Sequence, residues 1–170
     1  ARVSKNVFST TETTIEEVIG KLLSENKQTI STAESFTSGA IASAITRISG
    51  ASGYFHGSVV SYSNQVKINQ LGVSEFDLSK EGAVSEIVVK QMANGVRKLM
   101  GTDFAISTTG IAGPNGGTEE VPIGDIWIGI ASPGGVSAHH FNLGKGRDRI
   151  VRKTVFLALG LLLKELRQEN

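Results

Sequence analysis

The run Ile126-Trp127-Ile128-Gly129-Ile130-Ala131 carries no charged side chain. Six residues make a strand, and a strand apolar on both sides must be covered on both faces. That calls for helices above and below one sheet, and the chain supplies them. Ile15, Val18, Ile19, Leu22 and Leu23 recur at helical spacing. Ile87, Val88, Val89, Met92, Val96, Leu99 and Met100 follow a capping Ser85 and stop at Gly101. A last helix over 149–167 carries Ile150, Val151, Val155, Leu159, Leu162 and Leu166. Shorter β-prone runs lie between, at 29–33, 55–62, 104–108 and 136–143. The alternation predicts a three-layer α/β/α sandwich around one mixed, largely parallel sheet.

Local signals refine this outline. Thr13 and Glu16 match a capping box for the first helix. The small apolar residues of 39–48 suit a closely packed second helix, and 64–71 reads as a short helix closed by Gly72. The segment 73–83 reads as a polar connection, and 111–121 as a loop. Residues 1–12 are polar and read as a lead-in or linker remnant before one domain over 13–170. The absence of an initiator Met suits a processed chain or a piece of a longer one.

Composition excludes several chemistries. There is no cysteine, so disulfides, thiolate catalysis and Cys-ligated metals are ruled out. His56, His139 and His140 do not form a helical metal-binding pair, and the last two read as structural. A formal net charge of +1 argues against a broad basic nucleic-acid face. No apolar run reaches the roughly 18–20 residues of a membrane span. No apolar stretch follows Ala-Arg-Val-Ser-Lys to make a secretory signal, so a cytoplasmic protein is expected. Of the 20 glycines, Gly20, Gly57, Gly95, Gly129 and Gly160 fall inside expected elements. The other fifteen fall at junctions or element ends, which points to tight turns.

Ligands of open α/β sheets bind beyond the carboxyl ends of strands, and three junctions follow strands here. Ser35-Phe36-Thr37-Ser38-Gly39 leads into a helix, so its hydroxyls either cap that helix or join its N-terminus in holding a phosphate. Thr109-Gly110-Ile111-Ala112-Gly113 either turns the chain or lets backbone approach a ligand. It is neither a dinucleotide fingerprint nor a Walker loop. Tyr62 and Lys67 flank a strand-to-helix junction, where the lysine is either solvated or a base made less basic by a dry pocket. Lys145, Arg147, Arg149, Arg152 and Lys153 crowd a helix start where positive charge is unfavourable, which suggests an anion nearby. Asp148 offers the simpler answer of a surface ion pair.

In order, Thr-Ala-Glu-Ser, Ala-Ser-Gly-Tyr-Phe, Tyr-Ser-Asn-x-x-Lys and Thr-Gly-Ile-Ala-Gly-Pro resemble the C-terminal domain of the CinA family, the nicotinamide mononucleotide deamidases also called PncC. The likeness runs from about Ile15 to Leu166. It implies hydrolysis of the carboxamide of nicotinamide mononucleotide to nicotinic acid mononucleotide and ammonia, in pyridine nucleotide salvage. By the same likeness, members of the family occur alone or fused behind an N-terminal domain resembling molybdopterin-binding proteins. Carried onto this chain, the likeness makes Ser52 the proposed nucleophile and picks out Lys67, Tyr62 and Thr109. A Ser–Lys arrangement needs neither His nor Cys, so Lys67 would be the base, Tyr62 would relay or position the proton and Thr109 would steady the oxyanion. Ser35, Thr37, Gly39, Gly110 and Gly113 would line the substrate site. Where the family shows Gly-Asp-Arg this chain has Gly-Lys-Gly-Arg-Asp-Arg, so both Arg147 and Arg149 are candidates for the phosphate. Phe36 and Ser38 stand where the family commonly has Cys and Gly. No metal or cofactor is implied. A pyridine-nucleotide-binding module without turnover is the alternative. The leucine-rich last helix is wider than one buried stripe needs, so a homo-oligomer is expected.

Overall fold

The computed structural model describes residues 13–168; the lead-in read over 1–12 lies outside the described residues. Five strands form one sheet in the order β2-β1-β3-β4-β5. They are β1 (Ile30–Glu34), β2 (Phe55–Val60), β3 (Phe104–Gly110), β4 (Asp125–Ser132) and β5 (Gly135–Asn142). Six α-helices surround them: α1 (Ile15–Asn26), α2 (Ala40–Thr46), α3 (Asn64–Leu71), α4 (Glu75–Glu81), α5 (Glu86–Met100) and α6 (Arg147–Gln168). The expected three layers are present. The sheet is mixed, but half of its pairings are parallel rather than most. β1 runs parallel to β2 and β3, while β3–β4 and β4–β5 are antiparallel. No helix separates β3, β4 and β5, and Pro133-Gly134 alone joins the last two. Connections without a crossover helix leave only antiparallel pairing.

The two faces of the sheet differ in side-chain size. Ile30, Phe104, Ile106, Ile126, Ile128 and Ile130 pack against α1, α2 and α6. Each such residue, fully buried, contributes about 1.5–3 kcal/mol. The opposite face presents Ser31, Ala33, Ala105, Ser107, Gly129 and Ala131 to α5 and its neighbours. Small residues let α5 lie close. Ser107 Oγ donates to the Val89 carbonyl at 2.7 Å, and a Cβ on Gly129 would come within 2.8 Å of that same oxygen.

Several boundaries differ from the sequence reading for local reasons. The capping box belongs to Thr14 and Glu17, one residue later than Thr13 and Glu16. Starting the helix at Ile15 turns Ile15, Ile19 and Leu23 into the core. The polar connection contains α4, capped by Ser74, which accepts from the Asp77 amide at 3.2 Å. Its only buried residue is Leu78, so it shows no apolar stripe. Ser85 precedes α5, but its hydroxyl donates to the Gly82 carbonyl instead of capping the helix. The leucines of α6 expected at a subunit interface are used within the chain. Leu159, Leu162, Leu163 and Leu166 are buried, and Leu157 and Leu161 pack on the same core. The band is wide because α6 contacts α1, α2 and β4 together. Among the described residues no helix is long and apolar enough to cross a membrane.

Candidate active site

The carboxyl ends of β1, β2 and β3 open into a cleft of about 240 Å3. Ser35 enters it directly after β1, Tyr62 after β2, and Thr109, Gly110 and Gly113 at the end of β3. Lys67 comes from α3, whose start is fixed by Ser63 accepting from the Val66 amide at 3.3 Å. The Lys67 side chain is 2% exposed. Its Nζ donates to the Ser61 carbonyl at 2.8 Å and to Ser35 Oγ at 3.3 Å. No carboxylate pairs with it among the described residues. Burial therefore pushes its pKa below the usual lysine value.

Ser35 is held from both sides. Its amide donates to the Thr108 carbonyl at 3.1 Å, and its own carbonyl accepts from Ser38 at 3.1 Å. The turn that follows uses left-handed backbone at Ser38, φ +53°, and Gly39, φ +92°. Among the described residues, the amides of Phe36 and Thr37 find no protein acceptor. Those of Gly39, Ile41 and Ala42 do: all three donate to the buried carboxylate of Glu34, at 3.1, 3.1 and 2.8 Å. The start of α2 already holds an anion supplied by the chain. This corrects the expectation of a phosphate there. Thr37 is buried with its hydroxyl on Thr108 Oγ1 at 2.7 Å, and neither Thr37 nor Gly39 lines the cleft.

Three further assignments change. Ser52 lies in the 3-10 turn Ala51–Gly53, which enters β2, whereas Lys67 follows the far end of that strand. Six residues at about 3.3 Å each separate those ends, so one chain does not bring Ser52 to Lys67. Ala-Ser-Gly-Tyr-Phe serves packing: Tyr54 is buried, and a Cβ on Gly20 would come within 2.6 Å of its hydroxyl. Thr109 Oγ1 donates its single proton to the Ala83 carbonyl at 2.7 Å. It therefore ties the α4–α5 connection to the cleft wall and has no proton for an oxyanion. Tyr62 lies at the rim, 63% exposed, and is not among the hydrogen-bond partners of Lys67.

Of the two arginines, Arg147 lines the cleft and donates to the Gly113 carbonyl at 3.0 Å. Arg149 is exposed, bonds the Leu143 carbonyl and lies outside the cleft. Gly110 is required by packing as well as access, since a Cβ there would come within 2.5 Å of the Ile126 side chain. Both strand histidines are structural. His140 stacks on Trp127 at 4.7 Å and bonds Asp125 at 2.9 Å. His139 is half-buried beside Ser137.

A family model described as the CinA C-terminal domain matches residues 12–166. The chain belongs to the CinA C-terminal domain family. A CinA-like protein of Flavobacterium psychrophilum is 47% identical over 90% of this chain and 37% of its own length. A putative competence-damage inducible protein of Clostridium perfringens is 43% identical over 97% of this chain and 40% of its own length. The chain thus spans about two fifths of the curated relatives it matches. The crystal structure of the competence/damage inducible protein CihA from Agrobacterium tumefaciens is 37% identical, with a TM-score of 0.85 over 90% of this chain and 95% of that one. The competence damage-inducible protein A of Klebsiella pneumoniae is 30% identical, with a TM-score of 0.86 over 90% and 95%.

Sequence reasoning missed part of this CinA-family cleft. Asn64 stands inside the Tyr-Ser-Asn motif and could have been found there. Phe36, Ala83, Val84 and Asn115 also line it. Ala83 and Val84 carry no signal in the sequence: an apolar pair in a loop is common, and only the Thr109 bond puts them here.

Proposed function

We propose that this chain hydrolyses the carboxamide of nicotinamide mononucleotide, with Ser35 as nucleophile and Lys67 as its base. The observation that carries the reading is the buried Lys67 ammonium, without a carboxylate partner, against the Ser35 hydroxyl. A lysine in that setting loses its proton more readily than one in water, and a neutral amine beside a hydroxyl can activate it.

In the first half-reaction, neutral Lys67 takes the Ser35 proton as Oγ bonds to the carboxamide carbon. The carbonyl oxygen becomes an oxyanion, for which the unengaged amide of Phe36, a residue that lines the cleft, is the nearest backbone donor along the chain. Such donors are worth about 3–4 kcal/mol each when well placed. The carbon–nitrogen bond then breaks, and Lys67 returns the proton to the departing ammonia. In the second half-reaction Lys67 deprotonates water, whose oxygen bonds to the ester carbon; the bond to Ser35 Oγ breaks, Lys67 returns the proton to Oγ, and the acid formed loses its own proton to solvent as the carboxylate. Arg147 pairs with the 5′-phosphate at the other side of the cleft. The exposed Tyr62 ring offers a face to the cationic pyridinium.

Incubating the protein with nicotinamide mononucleotide and measuring ammonia tests the reading. Release that disappears in Lys67→Ala supports it. Saturable binding without ammonia would make the chain a nucleotide-binding module instead.

A further inference from the structure

Glu34 is fully buried and carries a carboxylate with no cation beside it among the described residues. Its partners are three amides at the start of α2 and, more weakly, the Thr32 hydroxyl at 3.3 Å, which shares its proton with Ser58 Oγ at 2.7 Å. A buried charge is costly unless fully hydrogen-bonded. Ordinary capping would need only a Ser, Thr, Asp or Asn at the cap itself. Here Gly39 occupies the cap, without a side chain, and the acceptor comes from five residues upstream. The Glu34 side chain therefore closes residues 34–39 into a ring. Ser35 is the first residue inside that ring, and the unengaged amides of Phe36 and Thr37 are the next two.

We infer that Glu34 is a positioning residue for the reaction, fixing Ser35 and the Phe36 amide through the ring it closes on α2. The inference rests on the Ser35–Lys67 reading above. The Glu34 carboxylate faces α2 and does not line the cleft, so it acts through backbone and not on substrate. Its loss should lower kcat and leave KM unchanged. A residue that only stabilised the fold would leave kcat per folded molecule intact.

The test compares the wild type with Glu34→Gln and Glu34→Ala. Gln keeps the shape but turns an amide NH2 toward an N–H that needs an acceptor. Misplacing a reacting group by about 1 Å costs on the order of 100-fold, and a loss of about 10- to 100-fold in kcat is expected for Glu34→Gln. Peptide-resolved amide hydrogen exchange should quicken over residues 36–42 in that variant. Formate, which can refill the vacated carboxylate site, should restore part of kcat in Glu34→Ala. If the alanine variant fails to fold, the glutamine variant carries the comparison. Wild-type kcat in Glu34→Gln, a loss confined to KM, or unchanged exchange over 36–42 overturns the inference. A wild type that releases no ammonia sinks the deamidase reading alone, and exchange then decides the role of Glu34 in holding the turn.

Discussion

Lys67 Nζ donates to Ser35 Oγ across 3.3 Å, joining the end of β1 to the helix that follows β2. The pair forms only because β1 and β2 are parallel neighbours whose carboxyl ends meet. Ser35→Ala and Lys67→Ala should each lower ammonia release by on the order of 1,000-fold or more, as losses within a nucleophile–base unit do. Ser52→Ala, on an exposed turn, should keep its activity and stay within about 0.5 kcal/mol of wild-type stability. Steady-state ammonia assays beside denaturant melts check all three.

The lowered pKa of Lys67 has a sign that can be tested. The folded protein binds this proton less tightly than the unfolded chain does. Stability should therefore rise with pH between the depressed folded value and the ordinary lysine value. Lys67→Met removes the buried ammonium, so that rise should disappear. Ammonia release should share the same titration, with an acidic limb in kcat/KM, and Lys67→Arg, which keeps its proton at every accessible pH, should abolish the activity. Thermal melts and rate profiles across pH measure both.

Arg147 and Arg149 should separate cleanly. A charge-assisted hydrogen bond is worth about 1.5–3 kcal/mol, so Arg147→Ala should raise KM for nicotinamide mononucleotide roughly 10- to 100-fold. Arg149→Ala should leave KM unchanged. With nicotinamide riboside, which lacks the phosphate, Arg147→Ala should have little effect. Equal KM changes for the two arginine variants would remove Arg147 from the phosphate site.

Thr109→Val keeps the shape of the side chain and deletes its bond to Ala83. The expected cost is about 1–2 kcal/mol of stability from the lost bond. The 82–85 segment should also exchange its amides faster. If Thr109 were instead an oxyanion donor, kcat would fall by a further 100-fold or so.

Gly95 tests how closely α3 and α5 pack. A Cβ there would lie 2.0 Å from the Leu71 carbonyl oxygen. Backbone cannot yield as a side chain does, so Gly95→Ala should cost about 3 kcal/mol. Urea melts of the two proteins read this directly.

The sequence alone determined the layers of this protein. The apolar run in β4 required cover on both faces, and the periodic stripes of α1, α5 and α6 supplied it. Gly72 and Gly101 marked helix ends that are left-handed in the structure. These are local properties, set by spacing and backbone preference. Ser35, Lys67, Gly110, Gly113 and Arg147 were also legible as cleft residues, because each sits in a motif at a strand end or helix start. Tertiary structure decided which of them meet. Ser52 reads well as a loop serine, but β2 carries it to the wrong end of the sheet. Thr109 reads as a free hydroxyl, but a carbonyl 26 residues away takes its proton. The start of α2 reads as an empty anion site, but Glu34 fills it. A sequence states which donors and acceptors a segment carries. Whether each is still available depends on partners brought from elsewhere, and only the fold assigns those.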